Sequence, residues 1–494
     1  MTVPTPPIAF GGSAAEVRSR LGEPVALTDE VVEALRAVCP DTVTDPAARA
    51  ESSRDWWPLS LHWALAGQVG ALAGAVCRPA DADQVAAVLR TCHERAVPVT
   101  AAGGRSGVCG ASVPRFGGVV MDLTAMAGIV DVDDESLTVT VLPGTFGPDL
   151  EAELQRRGLT LGHWPQSMDI STVGGWLACR GADQYSTRYG KIEDMVVGLD
   201  VVLADGRSVT TGGAPRAAAG PDLTQLFVGS EGTLGIITSA RLRVHVRPSA
   251  ERRAAYGVSS WDAGVDACRR ILRRGITPAV LRLYDEAESQ RSHGTDGSVA
   301  VLLVLDEADA GVVRATMAAV DEECADATRL DDALVDGWLH HRNDVSALEA
   351  LTRKGFVVDT MEIAGPWSRL PAIYRNATAA LLAVPHALAA TAHLSHSYTD
   401  GACLYFTFAA TPPPEEVEAT YVALWNAGTT AVLTAGGNLS HHHGVGLNRH
   451  RFMAEALGTG RDVLAAIKAA LDPRGILNPG KLGLTSNLEQ MPWP

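Results

Sequence analysis

At 494 residues the chain is long enough for two or three domains with full hydrophobic cores. Its 46% hydrophobic and 20% charged residues are a globular balance, which excludes a disordered or fibrous chain. A net charge of −16 argues against nucleic acid or an anionic lipid surface as main partner, though it leaves room for a local basic pocket.

The first residues, MTVPTPPIAFGGSAAEV, carry neither a basic region nor an apolar one, so no export signal is expected. The end, EQMPWP, lacks a peroxisomal tripeptide. Residues 1–70 read as an N-terminal helical segment, with a helix over Thr28 to Val38 and a tryptophan-rich stretch at Trp56, Trp57 and Trp63. Asp81 to Ala96 opens on an Asp and repeats apolar residues at helical spacing, the pattern of a capped amphipathic helix. Eight scattered cysteines with no C-x-x-C pair point to reduced thiols in a cytoplasmic protein. No apolar run reaches the ~18 residues of a spanning helix. The longest, Ala377 to Leu394, is interrupted by Pro385 and His386.

Three glycine-bearing segments follow. In Val97 to Gly110 a β-type run breaks into Gly103, Gly104, Gly107 and Gly110, then a strand resumes over Gly117 to Leu123. Such a loop can turn successive N–H groups inward as an anion-binding nest. It lacks the spacing and following helix of a Rossmann fingerprint, so NAD is not the natural ligand. After the β segment Ser136 to Gly144 comes His163 to Ala178, HWPQSMDISTVGGWLA. Here Ser171 and Thr172 are natural helix caps, and Gly174-Gly175 would leave bare N–H groups at a helix start, where a pyrophosphate would sit. Leu199 to Thr210 reads as two strands joined by an Asp205-Gly206 turn, and Gly212 to Gly220 as a surface insertion. The third segment, Phe227 to Thr238, again sets small residues before a β run.

Residues 71–248 therefore read as one cofactor domain. Residues 249–425 read as an α+β cap that builds the substrate site, with Val299 to Glu307 as a strand, and residues 426–494 as a segment folding back. His441, His442 and His443 follow Gly436-Gly437. Three in a row beside a glycine turn suit acid/base work near a cofactor, since histidine titrates near neutral pH. In an extended chain alternate side chains oppose, so at most His441 and His443 would share a face, and no metal site is expected.

The order of these segments resembles the vanillyl-alcohol-oxidase, or PCMH-type, FAD-binding superfamily, and most closely alkyl-dihydroxyacetonephosphate synthase. The matching stretches are GHWPQSMDISTVGGW, YGKIEDMVV at Tyr189 to Val197, GSEGTLGIIT, PAVLRLYD at Pro278 to Asp285, DTMEIAGPW at Asp359 to Trp367, DGACLYFTF at Asp400 to Phe408, and GGNLSHHHGVG at Gly436 to Gly446. The resemblance runs from about Arg54 to Leu482. It implies an α+β fold, with a two-subdomain FAD-binding domain and an α+β cap. It also implies an FAD-dependent enzyme exchanging an acyl for an alkyl group through a flavin N5 adduct, a lipid-like substrate and a homodimer. The first loop holds no histidine, so the FAD is expected to be non-covalent.

Carried over as cofactor-binding are Ala102, Gly103, Gly104, Arg105, Ser106, Gly107 and Val108 of the first loop. The second segment contributes His163, Pro165, Gln166, Ser167, Met168, Asp169, Ser171, Thr172, Gly174 and Gly175. The third contributes Glu231, Gly232, Thr233, Gly235 and Ile237. Arg105 either pairs with the pyrophosphate or points outward. Catalytic roles fall by resemblance on Tyr405, His441, His442, His443 and Arg282. Without the resemblance, Tyr405 would read as an edge-strand residue and Arg282 as a surface partner of Asp285 or Glu286.

Two positions depart from the synthase pattern. Leu447 stands where that family has a lysine, and its substrate-binding arginine falls near Leu348, with Arg342 or Arg353 as replacements. Both losses weaken phosphate recognition. The alternative is an FAD-linked oxidoreductase of a hydroxy acid, alcohol or amine. Hydroxy-acid dehydrogenases of this fold carry a metal, and His396 fits their first ligand. Leu404 is read at the second, however, and His442 in place of their glutamate, so that site looks broken. A non-catalytic flavin scaffold ranks third, because Tyr405, Arg282 and the three histidines are all retained.

Overall fold

Runs of β-branched and aliphatic residues bounded by glycine build three large sheets, beside two two-stranded ones among the described residues. The computed structural model describes residues 6, 8–345 and 347–488. Residues 1–5 and 489–494, which contribute to the readings on export signal and peroxisomal tripeptide, lie outside the described residues.

In the first sheet Val119–Asp122 lies between Ala75–Cys77 and Val99–Ala102, parallel to both, and Thr42–Val43 adds an antiparallel edge. Parallel neighbours need a crossover, which the helix Ala82–Arg95 provides. The Asp81 carboxylate caps it by accepting from Gln84 N at 2.8 Å, and Val85, Val88, Leu89 and Cys92 bury its inner face. The second sheet is antiparallel, in the order Ser208–Gly212, Val196–Val202, Ile236–Arg243, Thr138–Val141, Ile129–Asp133. The Gly212 to Gly220 loop is exposed. Residues 476–478 run beside the first sheet, where Val99 N donates to Ile476 O and Asn478 N to Val99 O, both at 2.8 Å.

The third sheet has seven antiparallel strands. Four of them lie side by side in the order Val280–Tyr284, Ala387–Ser397, Gly401–Ala410, Val357–Pro366. Alternation at period two sorts their side chains. Leu281, Leu283, Leu394, Leu404, Phe406, Met361 and Ile363 join one hydrophobic core, shared with the helices Trp261–Arg273, Leu370–Leu382 and Val417–Thr434. Arg282, His393, Tyr405 and Thr360 take the opposite face and line a cavity. The strand bearing Tyr405 is paired on both sides, so Tyr405 is not an edge residue. All eight cysteines are free, and no helix among the described residues is long and apolar enough to cross a membrane.

Candidate active site

A cavity of ≈ 360 Å³ runs between the first two sheets and the third, walled by all three glycine segments. Of the residues expected at the cofactor, Ala102 to Val108, His163, Pro165, Gln166, Ser167, Asp169, Ser171, Thr172, Gly174, Gly175, Glu231, Gly232, Gly235 and Ile237 line it. Met168 and Thr233 do not. Met168 packs beneath Gly147, and the Thr233 hydroxyl donates to Ser230 O at 2.7 Å.

The glycines serve close packing of backbone on backbone. A Cβ on Gly103 would lie 2.2 Å from Thr172 Oγ1, and one on Gly104 would lie 2.1 Å from Ile170 O. Helix Val173–Cys179 starts as expected, with Thr172 as its cap, but its N–H groups are not bare. Val173 N donates to Thr145 O, Gly174 N to Pro143 O and Gly175 N to Thr172 Oγ1. The loop Pro143–Thr145 lies across the helix start and takes the bonds assigned from sequence to a pyrophosphate. The N–H groups left open are instead those of the first loop, where Gly104 to Val108 have no partner among the described residues. Arg105, in the left-handed region at φ 53, is buried and donates to Ser52 Oγ at 3.0 Å. Its Nε and Trp56 Nε1 are buried donors in the wall, and His163 Nε2 is a bare ring nitrogen there; none has a partner among the described residues. Orphaned donors beside an open nest fit the phosphates and ring edges of a dinucleotide. The other ring nitrogen of His163 sits 3.2 Å from the Asp183 carboxylate, which fixes the ring.

A second cavity of ≈ 520 Å³ adjoins the first and shares Gln166, Ala182, Thr360, Tyr405 and His442 with it. The Tyr405 hydroxyl donates to Thr360 Oγ1 at 3.0 Å, and its ring stacks on His393 at 4.9 Å. Burial pushes the phenol well above its usual range, so it stays protonated. Arg282 is buried and makes no salt bridge with Asp285 or Glu286. It donates to Tyr284 OH at 3.0 Å and to His393 Nε2 at 2.6 Å, while Asp285 caps the helix Glu286–His293. His393 Nδ1, 3.0 Å from Glu288 Oε1, therefore carries the ring proton. His393 and Glu288 were missed from sequence. Only the register that pairs His393 with Tyr405 brings them in.

The triple-histidine loop hangs on a buried carboxylate that sequence reasoning also missed. Glu362 Oε1 accepts from Ser440 Oγ at 2.6 Å and from the backbone N–H groups of His441, His442 and His443 at 3.2, 3.0 and 2.7 Å. Glu362 Oε2 pairs with Arg449 and lies 3.2 Å from His443 Nδ1. Burial opposes the charge, yet Arg449 and His443 hold this carboxyl well below the usual range. Glu231 anchors the far end, accepting from Val445 N at 2.5 Å and Gly446 N at 2.9 Å. It lines the cofactor cavity, but its carboxylate serves the histidine loop.

His442 and His443 line the cofactor cavity and His442 also the second one, whereas His441 lies behind both. The loop is not extended. His441 and His442 face each other, Nδ1 to Nδ1, at 2.9 Å, and His441 Nε2 meets Tyr398 OH at 2.8 Å. Together with His396 and Cys403 they place four donor atoms within 4.8 Å of one another, a nitrogen and sulfur set of the kind that can hold a metal ion. The expectation that at most His441 and His443 share a face thus fails, because the loop is not extended and His441 and His442 converge instead. The residue turned toward them is Cys403, because the pleat sends Leu404 into the core. Burial lowers His396, His441 and His442 well below the usual imidazole range, so all three are neutral near pH 7.

Residues 73–212 match the family described as FAD binding domain, and residues 247–482 match FAD linked oxidases, C-terminal domain. An uncharacterised FAD-linked oxidoreductase of Escherichia coli strain K12, YgcU, is 32% identical across 83% of this chain and 88% of its own. Glycolate oxidase subunit GlcD of Bacillus subtilis strain 168 is 31% identical across 84% of this chain and 90% of its own. A solved structure of alkyldihydroxyacetonephosphate synthase superposes with a TM-score of 0.80 at 26% identity, covering 98% of this chain and 90% of that one. Two matched regions, the shared fold and the open nest agree: this chain belongs to the FAD-linked oxidases and uses FAD as its cofactor.

Proposed function

We propose that this enzyme oxidises a hydroxyl group of a small anionic molecule bound in the second cavity. FAD, bound in the first, supplies the acceptor for the electron pair. The observation that carries this reading is His442, a neutral ring on the wall common to both cavities. Its Nδ1 faces His441, whose other nitrogen faces Tyr398 OH. One tautomer of this chain leaves His442 Nε2 bare, able to take the proton of a substrate hydroxyl. The protonated phenol of Tyr405, turning its one proton from Thr360 Oγ1, then donates a hydrogen bond to the substrate oxygen, and Arg282 supplies a fixed positive charge beside it. Ala102 to Val108 would hold the pyrophosphate non-covalently.

The two departures from the synthase pattern have a physical basis, although Arg342, one of the replacements, lines the second cavity. Leu447 is fully buried in the large core, and Leu348 packs against Ile8, Leu61 and Ala64, so neither position could present a charge to a phosphate. Exchange of an acyl for an alkyl group is the second reading, favoured by the retained Tyr405 and three histidines.

Anaerobic titration of the flavin spectrum separates the two. Oxidation predicts bleaching by a hydroxy acid, with colour restored by oxygen or an acceptor dye. Bleaching by an acyl-dihydroxyacetonephosphate alone, with turnover needing no acceptor, would replace it with the synthase reading.

A further inference from the structure

The second cavity asks for more than one reacting hydroxyl. Its wall contains buried acceptors with no partner among the described residues, Gln184 Oε1 and Glu288 Oε2. Glu288 is 5% exposed and Gln184 8% exposed. Glu288 is ionised: burial opposes its charge, but His393, Arg291 and Arg282 hold the carboxyl below its usual range. It can therefore only accept. A hydrocarbon or acyl chain would leave both oxygens desolvated and unpaired, the arrangement that binding sites reject most strongly.

The charges narrow the ligand further. Arg282 and Arg342 both lie over the Trp338 ring, at 5.3 and 5.6 Å, and Arg342 Nη1 is buried with no hydrogen-bond partner among the described residues. Two guanidinium groups gathered by one ring repel each other until an anion lies near them. Glu288 does not meet that need at Arg342, because among the described residues its ion pairs are with His393 and Arg291 and none is with Arg342. An ammonium ion on Glu288 would add a third positive charge beside Arg282 and Arg291, so hydroxyl donors fit better.

Resting on the oxidation reading above, the geometry points to a polyhydroxylated carboxylic acid of the sugar-acid type as substrate. Its carboxylate lies toward Arg342 and Arg282. Two hydroxyls beyond the reacting one donate to Glu288 and Gln184. The reaction balances as alcohol to ketone, with two electrons passing to FAD, one proton to His442 and the other proton with the electron pair.

The test measures binding and reduction separately, on the full chain loaded with FAD. The ligands are the stereoisomeric hexonates and both enantiomers of 2-hydroxyhexanoate, which has the same chain length and no further hydroxyls. At least one hexonate should bind at least ten-fold more tightly than either 2-hydroxyhexanoate by calorimetry. Gln184→Leu, checked for flavin content, should cut that ratio several-fold. Equal or tighter binding of 2-hydroxyhexanoate by the unmutated enzyme overturns the proposal. A hexonate that binds tightly without bleaching the flavin keeps the ligand class and overturns oxidation. Bleaching by 2-hydroxyhexanoate with no hexonate preference does the reverse.

Discussion

The two cavities meet at Thr360, Tyr405 and His442 but are built in opposite ways. The cofactor cavity is mostly backbone and small side chains from three short continuous stretches, packed so closely that several glycines have no room for a Cβ. The second cavity is side chains from widely separated segments, held by buried pairs such as Glu288 with His393. A backbone site suits the invariant part of the chemistry, the phosphates of a cofactor. A side-chain site can be remade one residue at a time, so the substrate can change while the cofactor does not.

Four mutations or conditions sharpen that contrast. The largest effect is expected from Gly104→Ala, whose added methyl meets a backbone carbonyl that cannot move aside. The purified variant should lack flavin absorbance, and full flavin content would show that the loop is not the cradle. Next is Tyr405→Phe, which removes a donor from the shared wall and leaves the glycine loops untouched. It should keep FAD and lose about 10²–10⁴-fold in turnover. Third, Glu362→Gln strips Arg449 of its buried partner and loosens the histidine loop. Thermal or denaturant unfolding should show a loss of about 3–5 kcal/mol. An unchanged midpoint would mean the ion pair is not what holds the loop.

The smallest effect is the pH dependence. Burial lowers His293, in the second cavity, and His450 to about 4 from an ordinary 6.5. Between those values the unfolded chain binds protons that the folded one does not, so stability falls as pH drops from 6.5 towards 4. The melting temperature should decrease by roughly 5–10 °C across that window. His293→Phe should flatten the slope, and an unaltered slope would place the effect elsewhere.

Legibility followed the same division. The capped helix over Asp81 to Ala96, the first loop and the strand of Tyr405 were all readable, because caps, glycine clusters and period-two runs act over a few residues. The helix-start nest was misread because the occupants of its N–H groups, Pro143 and Thr145, come from a separate loop. Glu362 looked like one more polar residue in DTMEIAGPW. Its role needs His441 to His443, about eighty residues away, and Arg449 as counter-charge.

By itself the sequence determined the local parts: where strands and helices start, which loop can expose its amides, and that three histidines sit beside a glycine turn. Tertiary structure alone decided which of those histidines line a cavity, that Cys403 rather than Leu404 turns toward them, and that Arg282 is buried against His393. The reason is one of range. Backbone conformation is set by neighbours in the chain. The direction of a side chain on a pleated sheet, and the charge it can keep once buried, depend on strand register and on partners hundreds of residues distant.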